Sequence, residues 1–65
     1  MAKIIDEWRV LDRCTILTLD ENAPSYWYFV IDGVKYEPVM VYDMGENVIA
    51  IKEPGSFIGK TVEFK

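Results

Sequence analysis

The sequence predicts an all-β protein, a small antiparallel barrel of five to six short strands around a central hairpin that turns at Asp32-Gly33. Three observations predict it. Short apolar, β-branched runs recur at close intervals, separated by clusters of Asp, Asn, Gly, Ser and Pro. Asp-Gly stands between two apolar runs, a strong short-range hairpin signal. Only residues 3–11 show helical spacing, so no long helix competes with the strands. Closure into a barrel follows because short sheets must hide their edges.

Residues 3–11 admit two readings. Ile4, Ile5, Trp8 and Leu11 form a stripe at helical spacing, whereas a strand puts Ile4, Trp8 and Val10 on one face with Asp6 as the misfit. Strand formers and the lack of an N-cap favour the strand. Asp12-Arg13 is a tight connection or a bend. Cys14 to Leu19 is a strand, with Cys14, Ile16 and Thr18 opposing Thr15, Leu17 and Leu19. Residues 20–25 form a polar loop.

Residues 26–42 form the hairpin. A two-residue turn of type I′ pairs Ile31 with Val34, Phe29 with Tyr36 and Trp27 with Pro38, an apolar set that belongs inside. Val30 with Lys35, Tyr28 with Glu37 and Tyr26 with Val39 form the other, half-wet face. Pro38 confines the second strand to an edge or a bulge. Residues 43–47 are a turn cluster and 48–52 a short apolar strand. Glu53-Pro54-Gly55 fits a type II turn, Ser56 to Gly59 a plugging turn, and Thr61 to Phe64 the last strand.

The run from Ile4 to Val10 and the ending Gly59-Lys60-Thr61-Val62-Glu63-Phe64 resemble the opening and closing strands of the β-barrel domain of translation GTPases. The central Ile31-Asp32-Gly33-Val34-Lys35-Tyr36-Glu37-Pro38-Val39 is similar to short bacterial proteins of unassigned function. The resemblance implies a barrel architecture and carries over no functional residue.

Composition bounds the function. Sixty-five residues make a single domain, 1–65, near the lower size limit for an independent core. The 51% hydrophobic content argues against disorder despite a net charge of −4. Cys14 is the lone cysteine and histidine is absent, so neither an internal disulfide nor a Cys/His zinc site is expected. An aromatic core or association with another chain must compensate for small size. The chain shows no apolar leader and no membrane-length run, which with one unpaired cysteine points to the cytoplasm.

No nucleophile–base pair can be assembled, so the protein is expected to be non-enzymatic, with no catalytic residue, cofactor or metal. Cys14 reads as a small core residue. Asp20-Glu21-Asn22 lacks the spacing and glycine of a calcium loop. The acidic balance disfavours nucleic acid, although Tyr26, Tyr28 and Lys35 could form a stacking platform for single strands. Binding to a protein partner, or self-association, remains the expected role. Its candidate face is Tyr26, Tyr28, Val39 and Val41, too apolar for solvent. In a simple meander, Asp20, Glu21, Asp43 and Glu46 would also gather as an acidic rim, suited to a basic surface or a loosely held cation. Asp12-Arg13, Asp32-Gly33 and the turn from Glu53 to Lys60 would lie at the other end.

Overall fold

A computed structural model describes residues 1–10, 14–39 and 45–65. Six strands form one antiparallel sheet: β1 (Ala2–Val10), β2 (Cys14–Leu19), β3 (Phe29–Ile31), β4 (Val34–Tyr36), β5 (Val48–Ile51) and β6 (Thr61–Phe64). No helix occurs among the described residues. The strand order is β4-β3-β6-β1-β2-β5, with β4 and β5 as the two edges. The expected meander is therefore wrong. The last strand inserts between β3 and β1, and β2 pairs with β5 rather than β3.

The long β1 joins the two halves of the sheet. Ala2 and Lys3 pair with Val62 and Thr61 of β6, whereas Asp6 to Val10 pair with Thr18 to Cys14 of β2. Between them, at Ile4–Asp6, the register slips. Side chains alternate along a strand, so one extra residue reverses which of them face inward. Ala2 and Ile4 point into the core before the slip. After it, Glu7 lies opposite the buried Leu17, and Trp8 is turned outward, 66% exposed. The expectation that Trp8 shares the inner face with Ile4 is corrected by this bulge. The misfit of Asp6 in the alternating pattern is its trace in the sequence.

The hairpin pairs as its turn dictates: Phe29 with Tyr36, Val30 with Lys35 and Ile31 with Val34. Both turn residues, Asp32 and Gly33, have positive φ, at 53° and 77°, as a type I′ turn demands. Phe29 and Ile31 are buried. The regular ladder stops at Phe29, and upstream of it the alternation breaks again. Tyr26 and Phe29 both turn inward, with ring centroids 5.8 Å apart, so the intervening segment holds one residue too many for a regular strand. Trp27 is thereby expelled, 87% exposed, although the hairpin register had placed it inside. Val34 and Pro38, expected inside with it, are exposed as well. Among the described residues no strand pairs with the outer edge of β4.

The core joins both halves of the sheet. Ala2, Phe29, Ile31 and Val62 meet Leu17, Leu19, Ile49 and Ile51, with Ile4 and Phe57 between them. Phe57 comes from the loop before β6 and plugs the core, edge-on to Tyr36 at 6.0 Å. The type II turn expected at Pro54-Gly55 does not form, because Gly55 lacks the positive φ such a turn needs. Its need for glycine is one of space: a Cβ there would stand 2.8 Å from the Phe57 ring.

Candidate functional site

The face of β3, β4 and β6 turned away from the core carries Val30, Lys35 and Glu63, and Tyr28 joins it through Lys35. Tyr28 is half-buried, and the Lys35 ammonium sits 4.5 Å from its ring centroid. Such a contact at a wet surface contributes about 0.5–1 kcal/mol. Lys35 also reaches Glu37 at 3.8 Å. Trp27 stands beside Tyr28. Its N–H donates to the Lys65 carbonyl at 3.0 Å, and the Lys65 N–H donates to the Tyr28 carbonyl at 3.0 Å. The indole is thus free while the backbone under it is tied to the end of β6.

Of the four residues expected to share one interaction face, Tyr26 and Tyr28 turn to opposite sides. Tyr26 packs inside against Phe29 and Phe64, and partial burial pushes its phenol above the ordinary value. Tyr28 is on the outer side with Lys35. Val39 is half-buried and donates its N–H to the Ala50 carbonyl at 3.2 Å, beside the β5 edge. Val41 lies outside the described residues. Sequence reasoning missed Trp27, whose displacement needs a register irregularity that no local pattern announces.

The loops at 20–23 and 45–47 meet, through the pairing of β2 with β5. Leu19 N–H donates to the Asn47 carbonyl at 2.7 Å, and Ala23 N–H to the Glu46 carbonyl at 2.8 Å. The carboxylates there have local work. Asp20 Oδ1 accepts the Lys3 N–H at 2.9 Å, and Glu46 Oε2 accepts from Asn22 Nδ2 at 3.1 Å. Glu21 lies 3.9 Å from the Met1 ammonium. Asp43, like Asp12 and Arg13, lies outside the described residues.

Asp32 was expected at the other end, and the register places it at this one. Ile31 pairs with Val62, Val62 with Ala2, and Lys3 bonds Asp20. Asp32 and Asp20 therefore share the end at which β1 begins. There Lys60 holds Asp32 at 2.8 Å, and that hydrogen bond, with the attraction of the carboxylate, raises the ammonium's pKa above its usual value. Glu63 does the same for Lys65.

These three shifts share one sign. Tyr26, Lys60 and Lys65 each hold their proton more tightly when folded, so the folded state binds more protons once the unfolded groups begin to lose theirs. Their contribution is complete below the ordinary values of 10.0 and 10.5 and is lost as pH rises through the folded ones. The urea midpoint is expected to stay level from neutrality to about pH 9 and to fall above about pH 10. A midpoint that rises between those values contradicts the assignment.

Thr15, the one buried polar residue among the described residues, donates its hydroxyl to the Glu53 carbonyl at 2.9 Å. Among the described residues no three His, Cys, Asp or Glu side chains group closely enough to hold a metal ion, and no helix is long and apolar enough to cross a membrane. Compared with protein-family models, with curated proteins and with solved structures, the chain matches none.

Proposed function

We propose that this chain is a non-enzymatic module that acts in the cytoplasm through protein contacts, with Trp27 and Tyr28 at the centre of its binding face. The observation that carries the reading is the position of Trp27. A 65-residue chain is short of core, yet it leaves Trp27, the more exposed of its two tryptophans, 87% exposed on a backbone pinned by hydrogen bonds. Burying an indole against a partner recovers hydrophobic stabilisation that the fold leaves unused, and tryptophan is enriched at such contacts. The lone cysteine suits a reducing compartment.

The aromatic pair with Lys35 also resembles a stacking platform for single-stranded nucleic acid. Charge weighs against that reading. Lys35 is near Glu37 and Lys65 is paired with Glu63, leaving little net attraction for phosphate in a chain of charge −4. Solution mass and partner capture, each at low and high salt, separate the two. A protein contact through apolar rings persists as salt rises, and replacing Trp27 by alanine abolishes it. Oligonucleotide binding that collapses with salt, with no protein contact at any salt, would overturn the proposal.

The same reading includes closure of the sheet into a barrel, the architecture that the likeness to the translation GTPase domain implies. Its support is the Val39 N–H bonded to Ala50, which brings the chain leaving β4 to the free edge of β5. Closure shields that amide from water. Hydrogen exchange at Val39 is then expected to be slowed on the order of the slowest β5 amides, near the global unfolding limit. Exchange at the rate of an exposed loop amide would leave the sheet open.

A further inference from the structure

We propose that Asp32 is a site of spontaneous modification: the hairpin turn converts to isoaspartate through a cyclic imide, the Lys60 ion pair slows the conversion, and the product loosens the hairpin. This chemistry is independent of the binding face above. In it the Gly33 amide nitrogen attacks the side-chain carbonyl carbon of Asp32, whose carboxylate has taken one proton from solvent. A C–N bond forms, the amide proton and the carboxyl hydroxyl leave together as water, and a five-membered imide remains. Hydrolysis restores that water and returns the proton. When it cleaves the bond from the Gly33 nitrogen to the old backbone carbonyl carbon, the chain runs on through the side-chain carboxyl. The isomer keeps the mass of the parent.

Asp32-Gly33 is the one Asp-Gly of the chain, and Asn-Gly does not occur. Both residues are exposed, and glycine brings no side chain beside the attacking nitrogen. The Ile31–Val34 pair closes the turn through the Val34 N–H, so the Gly33 amide takes no part in the turn's own hydrogen bond. The backbone also suits the ring. Closing it turns over the peptide between Asp32 and Gly33, which converts type I′ into type II′. The two types share a φ of about +60° at the first central residue, and Asp32 is already at 53°. Only ψ of Asp32 and φ of Gly33 change. Glycine takes either sign of φ, and apart from its chain neighbours no atom stands within 4 Å of where a Cβ on Gly33 would be. The strands keep their places, since both types serve two-residue hairpins. Lys60 works against the step. Its ammonium holds Asp32 Oδ2 at 2.8 Å, and the imide carries no charge, so the pair stabilises the starting carboxylate and is given up on the way to the ring. The product adds a backbone carbon to the turn that sets the Phe29–Tyr36 and Val30–Lys35 register.

Ageing of the full chain at neutral pH, in buffer and in denaturing urea, tests the site. Isoaspartate is read by enzymatic methyl transfer to the isoaspartyl carboxylate and by chromatography of the peptide that contains Asp32. The folded chain is expected to convert within about tenfold of the rate in urea, because one glycine-linked peptide has to turn over and no strand has to move. Lys60→Gln should convert about two- to fivefold faster in buffer, the range of an exposed ion pair, and no faster in urea, where the pair is absent. Asp32→Asn reaches the same imide by losing ammonia, so in buffer its conversion appears as a mass increase. The isoaspartyl fraction, once separated, should unfold at lower urea than the parent. Isoaspartate that forms in urea but not in buffer, an Asp32→Asn chain that keeps its mass, a Lys60→Gln chain no faster than the wild type, or an isoaspartyl fraction as stable as the parent overturns the proposal.

Discussion

Phe29→Ala is expected to cost about 3–5 kcal/mol, the range for deleting a fully buried aromatic ring. Phe29 has no exposed surface, and its ring touches Tyr26, Tyr36 and Phe64 at centroid distances of 5.8, 6.3 and 6.2 Å. It pairs with Tyr36 on one side and Phe64 on the other, so its removal opens a void across three strands. Collapse around that void is difficult, because the neighbouring rings are fixed by strands of three and four residues. Total stability of so small a domain is a few kcal/mol, so the variant should be largely unfolded at 25 °C without stabilising salt. Far-UV circular dichroism and a urea titration measure this. A midpoint within 0.5 M of the wild type, roughly 0.5 kcal/mol at the slope of a small domain, would place Phe29 outside the core.

What the sequence revealed and what it hid differ by the range of the interaction involved. The pairing of residues 29–36 was legible because Asp-Gly fixes a turn locally, and the turn fixes the register. The strands at Cys14–Leu19, Val48–Ile51 and Thr61–Phe64 were legible because β-branched runs bounded by turn formers have few other conformations. The strand order was not legible. Placing β6 between β3 and β1 depends on contacts between chain ends, and such contacts have no local pattern. The two register irregularities were the costlier omission, since each moved a tryptophan. Both Trp8 and Trp27 obey alternation within their own segments, and both are turned outward by one extra residue nearby. The candidate face changed accordingly. Tyr28 was legible as an outer residue through its pairing with charge, whereas Tyr26 had to be exchanged for Trp27.

Glu7 is the other residue the sequence concealed, and its replacement is expected to release the Phe57 plug. As one acid of an Asp-Glu pair it looks like solvated surface. The β1 bulge instead turns it to the side of Leu17, half-buried. There its Oε1 accepts the backbone N–H of Phe57 at 2.6 Å and of Ile58 at 3.2 Å, fifty residues along the chain. The same loop is tied to β1 further on, where Gly59 N–H donates to the Ile4 carbonyl at 2.8 Å, and the carboxylate adds the anchor at Phe57 itself, where the ring enters the core. Hydrogen bonds to a charged acceptor contribute about 1.5–3 kcal/mol, and deletion also leaves the Phe57 N–H unpaired in a half-buried site. Glu7→Ala should therefore lower stability by about 2–3 kcal/mol. Glu7→Gln keeps an oxygen acceptor of the same reach and loses only its charge, so it should cost about half as much. Amide exchange identifies the site of the loss. In Glu7→Ala the Phe57 and Ile58 amides should exchange faster at urea concentrations where Leu17 is still protected, because the loop opens before the sheet. If both amides keep their wild-type protection, or if the alanine and glutamine variants are equally stable, the carboxylate does not hold the plug and Phe57 is seated by packing alone.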